Sequence, residues 1–152
     1  MSLISIRVQP EDFDLNQHYQ ALRGKGNGVG AIVTFTGLVR DLPNGALAAM
    51  ELEHYPGMTE KCLRNIAEQA VARWALLGVH IVHRVGALSP GDQIVLVATA
   101  SAHRRDAFAA AEFIMDYLKK DAPFWKKERT AAGEHWVEQK ESDRRAAGRW
   151  QR

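Results

Sequence analysis

Cationic side chains flank one apolar stripe between residues 101 and 128, SAHRRDAFAAAEFIMDYLKKDAPFWKKE. His103, Arg104 and Arg105 stand at its start; Lys119, Lys120, Lys126 and Lys127 stand at its end. A helix that opens directly after a buried strand presents unpaired N–H groups and a partial positive charge, which favour an anion. Arg104 adds the two-pronged hydrogen bonding that phosphate accepts, and His103 can donate or transfer a proton. Lys119 and Lys126 would align on a continuous helix, but Pro123 between them ends it, so they face each other across a bend. A lysine beside a second cation, or with its stem packed on Phe124 or Trp125, releases its proton more easily and serves as a general acid or base. A solvated first turn with Asp106 as counter-charge, closed by an ordinary Lys-Lys helix end, accounts for the same residues without any site.

Other residues carry weaker signals. Arg40 ends TFTGLVR where an open loop begins, placed either to close a pocket or to terminate a strand. In LEHYPGMTEK, Glu53, His54 and Tyr55 precede a turn, and His54 reads as a hydrogen-bonded core residue. His80 and His83 fall on opposite faces of one strand, which argues against a shared metal, and no HExxH, P-loop, zinc cluster or GxGxxG pattern occurs. The glycines of GKGNGVG read as a turn. The one cysteine, Cys62, excludes an intrachain disulfide and a cysteine-based zinc site. It lies in phase with Ile66, Ala70 and Trp74 and reads as a buried structural thiol, with catalytic nucleophile as the minor alternative.

The elements that must position these residues follow from periodicity and breakers. Strands are expected at Leu3–Val8, Ala31–Val39, 47–55, Val79–Val85 and Gln93–Ser101, the last buried on both faces. Residues 11–23 read as a short helix or irregular segment, and 41–45 as a turn. A helix capped by Thr59 is expected to run to Leu77 with Gly78 as its stop. A second helix, 103–120, is expected to be capped by Ser101 and to bury Phe108, Ala111, Met115 and Leu118. GALSPGD reads as a turn, and a hairpin around AAGE brings back Trp136 and Val137 before a charged, partly helical tail. The expected fold is α+β: a mixed or antiparallel sheet with helices packed on one face, plus a small β subdomain, forming a single domain over 1–152. The net charge of +2 lacks the strong positive bias of a general nucleic-acid binder. No segment reaches the roughly 18 apolar residues of a membrane span, and the N-terminus does not read as a secretory signal; a cytoplasmic location is the expectation.

Taken together, FTGLVR (35–40), LEHYPGMTEK (52–61), HRVGALSPGD (83–92), SAHRRDAF (101–108) and MDYLKKDAPFWKKE (115–128) resemble the catalytic, larger subunit of molybdopterin synthase. The resemblance implies an α/β-hammerhead-like fold and a sulfurtransferase. The family's enzymes convert cyclic pyranopterin monophosphate into molybdopterin by inserting two dithiolene sulfurs. The sulfur comes from the C-terminal thiocarboxylate of a small ubiquitin-like carrier, in a heterotetramer built on a homodimer of the larger subunit. By the same resemblance Lys119 and Lys126 are catalytic and receive the carrier's tail. Leu38, Val39, Arg40, His103, Arg104, Lys119, Lys126, Lys127 and Glu128 contact substrate, and Lys140 does so by reaching a partner protomer's site. Leu38 stands where the pattern often has a polar or basic residue, which leaves that position its backbone contacts. No cofactor and no metal is implied, and the nucleophilic sulfur arrives on another chain. Two other classes remain open: a noncatalytic binding module for a phosphorylated ligand or RNA, and a scaffold for a ubiquitin-like partner.

Overall fold

The computed structural model describes residues 3–43, 45, 47–137 and 141–150. The elements are β1 (Ile4–Gln9), α1 (Leu15–Arg23), β2 (Ala31–Leu38), β3 (Ala49–His54), α2 (Met58–Arg73) and β4 (Leu76–Arg84). They continue as β5 (Gly86–Leu88), β6 (Gln93–Ser101), α3 (Arg104–Asp121), β7 (Phe124–Thr130), β8 (Gly133–Val137) and α4 (Glu141–Gly148). One sheet has the order β1-β4-β6-β2, with β1 parallel to β4 and the other pairs antiparallel. The second, β5-β3-β7-β8, is antiparallel throughout.

The alternation of β6 decides the layering. Val95 and Val97 point to the face covered by α2 and α3, where they join Leu63, Ile66, Phe113 and Ile114. Leu96, Ala98 and Ala100 point to the other face, where Phe13 and Leu22 of the α1 region cover them. Helices therefore lie on both faces of the first sheet: α2 and α3 form the expected helical layer, and the short α1 closes the reverse side. A third cluster of Val39, Leu47, Met50, Leu52 and Leu88 seats the second sheet against the loop after β2.

Several local expectations are corrected. Phe108 is 61% exposed, because α3 packs through Ala107, Ala110, Ala111, Ile114 and Leu118, and small residues on that seam let the helix lie close to the sheet. Helix α2 ends at Arg73, with Trp74 already extended as its C-cap, and the chain enters β4 at Leu76. Gly78 lies inside that strand, where a Cβ would approach Leu22 Cδ2 to 2.6 Å; its missing side chain makes room for α1. Neither hydroxyl acts as the expected helix cap. Ser101 Oγ donates to Ala75 O at 2.8 Å and accepts from the N–H of His103 at 3.4 Å; it thus holds the residue that is itself the N-cap of α3, which has no side-chain cap bond. Thr59 lies within the first turn of α2, whose N-cap is Gly57. The GALSPGD turn contains the short strand β5.

Candidate active site

The bend between α3 and β7 is tied from below by α2. Thr59, fully buried, donates its hydroxyl to Pro123 O at 3.0 Å and accepts from Tyr55 N at 3.0 Å. Cys62 Sγ lies 3.7 Å from Asp121 O, and burial, then the charge of Asp121, pushes its thiol up. That favours the protonated form and suits a packing role. From this anchored bend Lys119 leaves the end of α3, and Phe124 and Lys126 leave one face of β7.

His83 lies at this bend, against Phe124. It is 6% exposed, lies on the face of β4 that carries Val79 and Ile81, and stacks on Phe124 at 3.7 Å with the rings 17° apart. Its Nδ1 donates to Arg84 O at 2.8 Å. Burial pushes the ring down to about 4; the bond to Arg84 opposes this, and the charges of Lys119, His54 and Lys126 add to it. At neutral pH the imidazole is therefore uncharged, with Nε2 as its acceptor.

The second sheet sorts the adjacent cations. Lys126 lies opposite Leu52 and Glu128 opposite Met50, on the face that packs against Val39. Lys127 takes the outer face, with its Nζ 3.9 Å from Glu51, 3.4 Å from Glu134 and 5.1 Å from the Trp136 ring. Leu38, the last residue of β2, and Arg40 in the loop after it are exposed. Val39 is buried, its N–H donating to Asp92 O and its carbonyl accepting from Gly91 N, both at 2.8 Å.

At the other end of α3, Thr99 Oγ1 donates to Ala107 O at 2.8 Å and pins the first turn to β6. His103, Arg104 and Arg105 are exposed there and, with Gly30 and Ala102, line an open hollow of about 450 Å³. Gly30 approaches so closely that a Cβ would lie 2.1 Å from Ala102 O.

The sequence-derived residues thus form two groups. Leu38 pairs with Gln93 and His83 with Val95, which puts the 38–40 loop and the lysine pair at the end of the sheet where β6 begins. His103 and Arg104 follow Ser101, where β6 ends. Along α3, Arg104 and Lys119 are about 22 Å apart at 1.5 Å per residue. Lys127 stands apart on the outer face, and Lys140 lies outside the described residues. Among the described residues no group of three His, Cys, Asp or Glu is placed to hold a metal, and no helix is long and apolar enough to cross a membrane. Sequence reasoning gives Thr59 only the role of a helix cap and sets His83 only against His80 as a metal ligand; it places neither at this bend. The alternation of β4 is the signal that sends His83 toward α3.

These features define an α+β protein with two cationic clusters, one at each end of a single long helix. The chain belongs to the MoaE protein family, whose model matches residues 8–121. A molybdopterin synthase catalytic subunit of Ralstonia nicotianae is 57% identical over 147 residues, covering 96% of this chain and 84% of that protein. A solved structure of the molybdopterin biosynthesis MoaE protein from Burkholderia ambifaria is 57% identical, with a TM-score of 0.84 and coverage of 97% of both chains. The crystal structure of molybdopterin synthase from Staphylococcus aureus is 34% identical, with a TM-score of 0.80, covering 91% of this chain and 98% of that one.

Proposed function

We propose that this protein is the catalytic subunit of a molybdopterin synthase, a sulfurtransferase that converts cyclic pyranopterin monophosphate into molybdopterin in the cytoplasm. The sulfur donor is the C-terminal thiocarboxylate of a small ubiquitin-like carrier. The observation that carries the reading is a buried ring, His83, stacked on Phe124 at an anchored bend where the charges of Lys119 and Lys126 both act on it, in a chain of this family. Two cations around a dry, neutral imidazole attract a thiocarboxylate and stabilise negative charge that develops as it reacts. The carrier sulfur forms a bond to an oxygen-bearing side-chain carbon of the substrate, whose carbon–oxygen bond breaks, the oxygen leaving as water or with the phosphate. Water then attacks the carrier's acyl carbon, the acyl–sulfur bond breaks, the carrier leaves as a carboxylate and the sulfur stays on the pterin. Lys119 orients the thiocarboxylate and moves protons in these steps; Lys126 stabilises the anion, with Arg40 and Glu128 on the same side. No thiol of this chain is required, in keeping with a Cys62 that burial holds protonated.

The 22 Å along α3 exceeds the length of one pterin phosphate, so His103 and Arg104 of one protomer are proposed to complete the lysine site of a second. This agrees with a homodimer at the centre of a heterotetramer, and Lys140 is proposed to cross in the same way. The RNA-binding alternative loses its aromatic platform, because Phe124 is stacked on His83 while Trp125 takes the opposite face of β7. Lys119→Ala should abolish product formation from thiocarboxylated carrier and cyclic pyranopterin monophosphate while leaving the circular dichroism spectrum unchanged. Turnover near wild type in that variant would overturn the assignment.

A further inference from the structure

The face of the first sheet turned away from α2 and α3 is closed by a helix too short to stand alone. Nine residues make a marginal helix in water, so α1 depends on what it touches. Leu22 is its one buried side chain, seated where Gly78 lacks a Cβ, while Leu15 and Tyr19 are exposed. A second attachment is polar: His18 Nδ1 and His80 Nδ1 lie 2.9 Å apart, with one ring edge-on to the other. The segment begins and ends on independent ties. At its start the carbonyl of buried Phe13 accepts from Gln93 Nε2 at 2.9 Å, and at its end Gly30 N–H donates to Ser101 O at 2.9 Å.

We infer that His18 and His80 form an acid-released latch: when both rings are protonated the bond between them is lost, and residues 14–29 open as a loop while Phe13 and Gly30 stay fixed to the sheet. A bond between two imidazole nitrogens needs one donor and one acceptor, and a charged ring only donates. A first proton is therefore tolerated, because the charged ring donates to the neutral one. The second leaves like charges on rings whose facing nitrogens are 2.9 Å apart. The neighbours add to the repulsion. Arg7 lies on β1 two positions from Ser5, the residue paired with His80, and so shares its face; the Lys25 stem passes beside Gly78. Asp14, the N-cap of α1, is the carboxylate that opposes them at His18, and β6 presents uncharged Ala98 opposite His80. Burial, then the charges of His18, Lys25 and Arg7, pushes His80 down to about 4. Burial, then Arg7, lowers His18 against Asp14. Freed rings return to the ordinary histidine value, so the latch is fully closed above about pH 6.5 and loosens as pH falls toward the closed-form values.

Native-state hydrogen exchange of the full chain, corrected for intrinsic rates, reads this opening at the Gly24 and Lys25 amides, which donate to Gln20 O and Leu22 O. Between pH 6 and 5 the opening equilibrium should rise at least about fivefold and at most about a hundredfold, since between one and two protons enter on opening. Amides of β4 and β6 should keep their protection over the same range. His18→Ala removes the bond and should raise the opening of α1 at pH 7.5 at least about fivefold. The double variant His18→Leu with His80→Phe keeps apolar contact without titrating rings, and its α1 opening should change less than about twofold from pH 6 to 5. A flat α1 response in the wild-type protein would overturn the inference, as would acid loss shared equally by β4 and β6. Acid-dependent opening that survives in the double variant would do the same. Should the double variant fail to fold, His18→Ala still decides: an α1 no more open than in wild type at pH 7.5 means that the two rings latch nothing.

Discussion

His80 shows how the same residue type, three positions from His83, serves a different end. Its Nδ1 lies 2.9 Å from Nδ1 of His18, with the rings edge to face, so α1 is joined to the reverse side of the sheet by a bond that requires at least one neutral ring. Burial, then the charges of His18, Lys25 and Arg7, pushes His80 down to about 4. Burial and Arg7 lower His18, opposed by Asp14. The unfolded chain binds these protons near the ordinary histidine value and the folded one resists them. The stabilisation is therefore complete above about pH 6.5 and is lost as the pH falls toward about 4, the folded value of both His80 and His83. His83, almost fully buried, contributes on the order of 3 kcal/mol of this pH-linked term. Urea denaturation across this range should show a steady loss of stability. His80→Phe should start lower at neutral pH, because His18 loses its partner, and fall less steeply. An equal acid slope in wild type and variant would show that the pair is not the sensor of acidity. The sequence reading put His80 and His83 on opposite faces, and they are. What each ring touches depends on α1 and on the α3–β7 bend, which no spacing within β4 records.

Elements differ in how legibly they were written. β6 and α3 could be read from their patterns because burial on both faces, in one case, and a continuous apolar seam, in the other, impose a period on the sequence. The end of α2 could not. Gly78 has the look of a helix stop, but its reason is tertiary: the space its missing Cβ leaves is filled by Leu22 from a helix more than fifty positions earlier. The same holds for Phe108, which fits an apolar spacing yet is exposed, since the alanine-rich seam one residue away approaches the sheet more closely. Gly30 belongs to this class. It begins no turn of its own; it lets the approach to β2 pass against the Ala102 carbonyl, with its N–H donating to Ser101 O at 2.9 Å. Gly30→Ala should force that contact apart, cost about 1–3 kcal/mol in thermal unfolding and displace the turn that carries His103 and Arg104. Affinity for inorganic phosphate at the hollow, measured by calorimetry, should drop at least about tenfold. Unchanged stability and binding would mean that the strand entry adjusts freely and does not support the cationic turn.

For the whole molecule the decisive quantity is the length of α3. An 18-residue helix separates the His103–Arg104 hollow from the Lys119–Lys126 bend, so one chain holds two cationic clusters facing different ends of the sheet. The sequence presented these cations as one stretch and left the span between them out of view, since proximity along a helix is measured in axial rise and the seam between its ends is buried. If each reaction centre combines the lysines of one protomer with His103 and Arg104 of another, two inactive variants should repair each other. Lys119→Ala alone damages both centres of a dimer, and so does the double variant His103→Ala with Arg104→Ala. In a mixed dimer the two defects fall together in one centre and leave the other intact. Equal mixing with free exchange makes about half of the dimers mixed, each with one working centre of two, so activity should return to roughly a quarter of wild type. The mixture is refolded together or co-expressed to allow exchange, then assayed with thiocarboxylated carrier and cyclic pyranopterin monophosphate. A centre contained within one chain gives no recovery at any ratio, because every chain in the mixture carries a defect. Recovery that rises and falls with the product of the two variant fractions would tie the two ends of α3 to one shared centre.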